Sequence, residues 1–417
     1  MKQYGSPHRP YAWQKMPNGM RLATASIAHS ECASMAIYLP VGSRHDPPKL
    51  AGLAHFMEHM AFKGTARRSA RQLSLDLESC GAQANACTSE DHTVYDARGD
   101  AASLPILADI LSDMIWNSSL PPREISLERD VIHEEITMYE ENPGDHISDM
   151  ISHALWAPDP LGQRITGTHK TVNAITRNDL FTFCHDHHFS DEIVIAAAGP
   201  FSAGEFAEII QPLLPGETHR SRQTAAHYVT PSKPRAPLIE HRDTEQLQLA
   251  LAWQTPGRHH EGRHALRLLS LLLGESSSSR LFQVLREERG LCYNVGSDVV
   301  LFSDVGCLEI SAGLDPQSRD EALKVIQKEI YQLVTQGPSE EELERAKRIA
   351  ITSHKVALES TSAHMCWVGE SILFEGRIVT PEEARSKIEP VTTEEIRNLA
   401  QLIFHKKNLA HAEIRAL

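Results

Sequence analysis

A chain of 417 residues is long enough for two or more domains with cores of their own. Although 41% of it is hydrophobic, it contains no apolar run of 18 residues, which excludes a transmembrane helix. The formal net charge of -14 argues against nucleic acid, whose usual footprint is a basic stripe, and favours cationic peptides as partners. The opening MKQYGSPHRPYAW carries charge but no apolar core, so it does not read as a secretory signal. A cytoplasmic location is the expectation, with a periplasmic or organellar one open if a leader was removed. The seven cysteines (Cys32, Cys80, Cys87, Cys184, Cys292, Cys307 and Cys366) are odd in number, scattered and without a C-x-x-C pair. They read as small buried thiols in a reducing compartment.

In chain order, a strand is expected over 34–40, followed by the segment Ala51 to Thr65, AGLAHFMEHMAFKGT. Its apolar positions Leu53, Phe56, Met57, Met60 and Phe62 predict a buried helix that Gly64 can end. His55 and His59, at i and i+4, share one face of that helix, and Glu58 points to the same side. The order His55-x-x-Glu58-His59 is the inverted form of the H-E-x-x-H zinc motif, in which two imidazoles meet one metal and the carboxylate serves as general base. Strand 93–97 and helix 104–116 come next. The segment PPREISLERDVIHEEITMYEEN, from Pro121 to Asn142, then predicts a further helix with its prolines at the start.

Catalytic zinc takes three protein ligands and leaves one position open, so a third ligand must come from outside the motif. With helical spacing, Glu128, Val131, Ile132 and Glu135 fall on one stripe, and two carboxylates on an otherwise apolar stripe are the anomaly. Glu135 ranks as the ligand and Glu128 as its supporting residue; His133 falls off the stripe and reads as a surface or packing histidine. Beyond it, strands are expected over 193–198, 246–254, 295–302 and 307–313, and helices over 263–273 and 318–336. The serine tract 276–279 reads as a helix start or a turn, since no G-x-S-x-G frame surrounds it. Ser339-x-x-Glu342 makes a capping box. No G-x-x-x-x-G-K or G-x-G-x-x-G loop is present.

With these motifs the chain resembles the pitrilysin/insulinase-type zinc peptidases, in the branch that includes mitochondrial-type processing peptidases and their bacterial relatives. The resemblance covers nearly the whole chain. It implies a glutamate ligand at Glu135, a supporting glutamate at Glu128 and one zinc ion per chain. The segment GAQANACTSEDHTVY, Gly81 to Tyr95, resembles the family's G-x-x-x-N-A-x-T strand, which implies that Asn85, Ala86 and Thr88 lie along an edge that pairs with substrate backbone. The segment SSSSRLFQVLREERGLCYNVGS, Ser276 to Ser297, matches a second signature. It implies that Arg286 holds substrate carbonyls and that the hydroxyl of Tyr293 supports the oxyanion, roles that need donors aimed at developing charge. Cys292 stands where alanine is usual.

The two halves of the chain echo each other. Leu77 to Gly99 and Leu285 to Gly313 each run from a helix end through a glycine turn into two strand-like segments, and SLERDVIHEEI and EELERAKRIAI are amphipathic helices in equivalent places. A polar stretch rich in Pro, Thr and Ser over 214–237 reads as a linker between an N-terminal zinc-binding catalytic repeat, 1–213, and a C-terminal repeat, 238–417, that carries the Arg/Tyr motif. Strands divided by short turns imply mostly antiparallel pairing and an α+β class. The expected function is a zinc endopeptidase that cleaves peptides or unfolded protein segments in an enclosed chamber. A homodimer is expected, with a heterodimer with a related chain as the alternative, no nucleic acid and no membrane span. The competing readings are a non-catalytic scaffold of the same fold and one subunit of a heterodimeric peptidase.

Overall fold

The structure is a computed structural model, and it describes residues 10–219 and 236–417. The described chain is a mixed fold with two units. The first takes the chain up to Ile136, the stretch that begins at Arg164, and Lys355–Thr380; the second takes Thr137–Gln163, the stretch that ends at His354, and Pro381–Leu417.

The first unit is built on strands β1 (Tyr11–Lys15), β2 (Arg21–Ser26), β3 (Cys32–Leu39), β4 (Gln83–Thr88), β5 (Thr93–Asp100) and β6 (Val194–Gly199), in the order β1-β2-β6-β3-β5-β4. All neighbours are antiparallel except β2 and β6. The period of two is plain in β3. Ala33, Met35, Ile37 and Leu39 enter one core with the helices Leu53–Ala61 and Leu104–Trp116, while Ala36 and Tyr38 face the other side. That second face is rich in alanine (Ala23, Ala25, Ala36, Ala196, Ala198) and is covered by Met365, Val368 and Ile372 of helix Thr361–Glu375. The small residues let the helix come close. A Cβ on Gly369 would lie 2.4 Å from the Tyr38 ring, so no larger residue fits there.

The second unit repeats the plan with β7 (Leu238–Arg242), β8 (Leu247–Pro256), β9 (Cys292–Leu301), β10 (Val305–Leu314) and β11 (Leu409–Ala416), in the order β7-β11-β8-β10-β9. Its single parallel pair, β7 with β11, occupies the place of β2 with β6. The β9-β10 hairpin likewise stands where β4-β5 stands, each at a sheet edge. The glycine turns before the two hairpins, Gly81 and Gly290, both adopt φ 61°. Ile147, Met150, Ile151 and Ala154 of helix Pro143–Trp156 cover Ala250, Ala252, Ala410 and Ala412, as Thr361–Glu375 covers the first sheet. The sequence echo is thus a structural repeat of an α+β fold.

Two helices cross the expected division of the chain. Pro143–Trp156 precedes the 214–237 stretch yet packs on the second sheet, and Thr361–Glu375 follows it yet packs on the first. An apolar helix face specifies a complementary surface, and that surface need not belong to its own repeat. Most of the expected linker, 220–235, lies outside the described residues. Helix Leu104–Trp116 falls on its expected span, and Ser339 and Glu342 cap helix Glu340–Ala357 reciprocally. Helix Arg263–Ser270 passes into a wider π turn at Leu271–Glu275 instead of continuing as one α-helix to 273. The expectation of uniformly buried cysteines needs correcting. Cys32 and Cys87 are exposed, since each sits on a strand position that faces away from the core.

One ion cluster sets a pH limit on the second unit. Glu413 of β11 is fully buried and accepts from Arg319 Nη2 at 2.6 Å, Arg415 Nε at 2.6 Å and His411 Nε2 at 2.6 Å. Burial alone would raise its carboxyl, but these donors outweigh burial and hold it well below the usual carboxylate range. A depressed folded pKa gives stability that is present above the unfolded value of about 4.3 and is lost as pH falls towards the folded one. Glu413→Gln should therefore lower stability by about 3 kcal/mol at pH 7, because it removes the buried charge on which Arg319, Arg415 and His411 converge. In thermal melts of both proteins, the gap should narrow as pH falls below about 4; a gap independent of pH would contradict the assignment.

Candidate metal centre

Helix Leu53–Ala61 buries Leu53, Phe56, Met57 and Met60 in the first core, which turns His55, Glu58 and His59 toward one side. It stops at Phe62, short of Gly64, whose φ of 115° shapes the turn that follows. The His55 and His59 rings lie 4.5 Å apart between centroids. Across from them, helix Pro122–Glu141 packs through Ile125, Ile132 and Ile136, and Arg129 fastens it by donating to the carbonyls of Val172 and Ile175. Glu128 and Glu135 project from that helix two turns apart on the side facing the histidines. Val131 does not share their surroundings: it is 50% exposed, so the expected apolar stripe is narrower than its spacing implies.

Glu135 Oε2 stands 3.7 Å from His55 Nε2 and 3.5 Å from His59 Nε2. The three donor atoms all lie within 4.8 Å of one another. Tetrahedral zinc with bonds of 2.0–2.2 Å requires ligand atoms about 3.4 Å apart. The spacing, and the set of two neutral-capable nitrogens with one carboxylate oxygen, therefore fit such an ion. Charge points the same way. Glu58, Glu128 and Glu135 converge on this place, and Lys63 Nζ lies 2.5 Å from Glu128 Oε2.

The two histidines differ. Burial, aided by neighbouring His59, pushes His55 down to about 3, which favours the neutral imidazole that a metal ligand requires. Burial also disfavours charge on His59, but the Glu128 hydrogen bond and the charges of Glu135 and Glu58 win and raise it. His59 Nδ1 lies 2.8 Å from Glu128 Oε1, which fixes the proton on Nδ1 and turns Nε2 toward Glu135. Burial raises Glu135, and nearby Glu58 and Glu128 add to this against the opposing charge of His59. The Glu128 carboxyl stays low despite burial, through its bonds to His59 and Lys63.

Glu58 takes a hydrogen bond from Thr88 Oγ1 at 2.6 Å. Thr88 ends β4, the edge strand, so Asn85 and Ala86 lie along a strand whose one partner among the described residues is β5. Thus His55, Glu58, His59, Thr88, Glu128 and Glu135 are brought together. Arg286 and Tyr293 belong to the second unit and are neighbours there. The guanidinium of Arg286 lies 5.6 Å from the Tyr293 ring centre and 4.7 Å from that of Phe282, and Tyr293 is 76% exposed at the start of β9. His133 is off the site, as expected, with Asn173 Oδ1 at 3.0 Å and His169 Nδ1 at 2.9 Å. Lys63 was not foreseen. Its one signal is position, a basic residue i+4 from His59 where the Glu128 partner can be reached.

The family model for the insulinase peptidases, M16, matches residues 21–169, which contain every residue of this centre, and that for the peptidase M16 inactive domain matches 174–350, which contain Arg286 and Tyr293. An uncharacterized zinc protease of Mycobacterium leprae is 32% identical over 395 residues, covering 94% of this chain and 89% of that protein. One of Bacillus subtilis is 32% identical over 387 residues, 93% and 94% of the two chains. Among solved structures, a protease from Helicobacter pylori superposes with a TM-score of 0.91 at 19% identity, covering 98% of this chain and 99% of that one. A peptidase M16 inactive domain from Pseudomonas fluorescens gives 0.90 at 18% identity, with 98% of each chain covered. Likeness at such identity speaks for the fold, while the sequence matches speak for descent, and together they establish that this chain belongs to the insulinase family of zinc peptidases, M16.

Proposed function

We propose that the protein is a zinc-dependent endopeptidase that cleaves peptides or unfolded protein segments, with one zinc ion per chain held by His55, His59 and Glu135. The observation that carries this reading is the convergence of His55 Nε2, His59 Nε2 and Glu135 Oε2 beside a glutamate fixed by Thr88. Zinc, when bound, supplies a Lewis acid that polarises a carbonyl and lowers the pKa of water towards 7. The chain's own residues do the rest. Glu58 takes the proton of the attacking water and hands it to the leaving amine. Thr88 holds Glu58 in place through one oxygen and leaves the other free. Glu128 keeps His59 in the tautomer whose Nε2 can ligate. The backbone of β4 around Asn85, Ala86 and Thr88 pairs with an extended substrate, a mode that accepts unrelated sequences. Arg286 and Tyr293 serve as donors to substrate carbonyls and to the oxyanion.

A cytoplasmic location and an enclosed chamber belong to the same reading. Family members with four repeats close a chamber, and this chain has two, so self-association into a homodimer supplies the remainder. A scaffold role is disfavoured, because a scaffold has no need of a buried and a half-buried imidazole facing one carboxylate.

Metal analysis of purified variants tests the core of this reading. Glu135→Gln should lose zinc, while Glu58→Gln should retain it and lose hydrolysis by about 10²- to 10⁴-fold, since only the first residue is a ligand. Full zinc in Glu135→Gln would remove that residue from the ligand set. Thr88→Val should keep zinc and lower kcat by about tenfold, the worth of a hydrogen bond to a charged group; an unchanged kcat would mean that Glu58 is oriented otherwise. For the dimer, differently tagged Glu58→Gln and Tyr293→Phe chains should be coexpressed and the mixed dimer isolated. If each site draws on both copies, the mixed dimer carries one intact site and outperforms either parent. Activity no greater than that of the Tyr293→Phe parent would mean that the site is built within one chain or that Tyr293 plays no catalytic part, and either contradicts a site completed by the partner's Tyr293.

A further inference from the structure

Asp46 plays no part in the chemistry above, yet it is 3% exposed and its carboxylate is fully engaged with the motif helix. Oδ2 accepts the backbone N–H of Gly52 and of Leu53, each at 2.9 Å, and Oδ1 accepts that of Ala54 at 3.0 Å. An α-helix leaves its first four N–H groups without intrahelical partners. Here those groups belong to Gly52, Leu53, Ala54 and His55, the first intrahelical bond being Phe56 N–H to the Gly52 carbonyl at 2.8 Å. Three of the four therefore end on one carboxylate.

The cap comes from six residues upstream for a steric reason. The N-cap residue would ordinarily supply the acceptor. At that position Gly52 adopts φ 95°, and a Cβ there would lie 2.6 Å from the Thr166 carbonyl oxygen, so no side chain fits. Gly167 closes the same contact from the other side, since its Cβ would meet the Ala51 carbonyl at 2.1 Å. The helix start is thus clamped between a loop that excludes a local cap and a carboxylate that replaces it.

The two metal-facing histidines differ in what aims them. His59 is turned by Glu128 at Nδ1. His55 Nδ1 is buried and has no hydrogen-bond partner among the described residues. A ligating histidine ordinarily donates its second ring nitrogen to a carboxylate, carbonyl or water that sets its orientation. With no such protein partner, the direction of His55 Nε2 follows from the backbone that carries it, and the three residues before it are the ones Asp46 holds. We infer that Asp46 is a positioning residue for the metal centre, orienting His55 through the backbone N–H groups of Gly52, Leu53 and Ala54. This rests on His55, His59 and Glu135 being the ligands.

Zinc affinity, measured by chelator competition on folded protein, reads this directly and does not depend on activity. The measurement belongs at pH 8, above the value of about 7 to which burial pushes the Asp46 carboxyl against the pull of its three donors. Asp46→Asn, His55→Ala and the double variant complete a cycle. Asp46→Asn should weaken zinc binding by about 10- to 100-fold, the effect of losing a group that orients a ligand. In the His55→Ala background it should cause no further loss. Wild-type affinity in folded Asp46→Asn would overturn the inference, because a purely structural cap lowers the melting temperature and leaves the ligands aimed. Full additivity of the two losses would also overturn it, since Asp46 would then act elsewhere than through His55. Wild-type affinity in His55→Ala would instead refute the ligand assignment and remove the basis of the inference with it. Should Asp46→Asn not fold, Asp46→Ser, which keeps an acceptor for a single N–H, is read in the same way.

Discussion

Three carboxylates and two imidazoles meet in a half-buried space of the first unit, and Lys63 pairs with one of the carboxylates. Glu58, Glu128 and Glu135 are close enough to shift the titration of His59, and partial burial weakens the screening of their repulsion. Among the described residues, the ion pair of Lys63 is with Glu128. The remaining negative charge, with two Nε2 atoms beside it, is what a divalent cation would balance. The core helices, the hairpin and the Asp46 cap can all be understood as means of holding this unfavourable assembly in readiness.

The repeated fold explains how the parts arrive. In each unit a helix end, a left-handed glycine and a hairpin at the sheet edge recur, with Gly81 before β4 and Gly290 before β9. The first copy uses the far end of its edge strand, where Thr88 touches Glu58. The second places its distinctive residues at the near end, where Arg286 packs over Tyr293 just after the turn. One architecture thus carries different residues at the two ends of its edge hairpin, and the matched family models divide the chain in the same sense, a peptidase half followed by a half described as inactive.

Much of this was legible in the sequence because it depends on local period. The i, i+4 histidines and the i+7 glutamates each declare a helix face, and the alternation in β3 declares a two-sided strand. Other features depend on long-range choices that periodicity does not encode. The spacing of Val131 matches the stripe, but the covering surface stops short of it, leaving it half exposed. The alanine-rich sheet faces accept helices from the opposite half of the chain, because close packing selects shape and not sequence neighbourhood. Asp46 lies outside any periodic segment, and its part emerges only once Gly52 is seen to be closed to any cap of its own. Lys63 gives no sign of its partner until the helix carrying Glu128 is placed beside it.

The central claim is that His55, His59 and Glu135 jointly hold one zinc ion. Diffraction from crystals of the zinc-loaded protein, recorded on both sides of the zinc absorption edge, tests it most directly. The account predicts a single strong anomalous peak per chain, about 2.0–2.2 Å from His55 Nε2, His59 Nε2 and a Glu135 carboxylate oxygen. A peak bonded to other residues, or none at that place in protein shown to contain zinc, would contradict it.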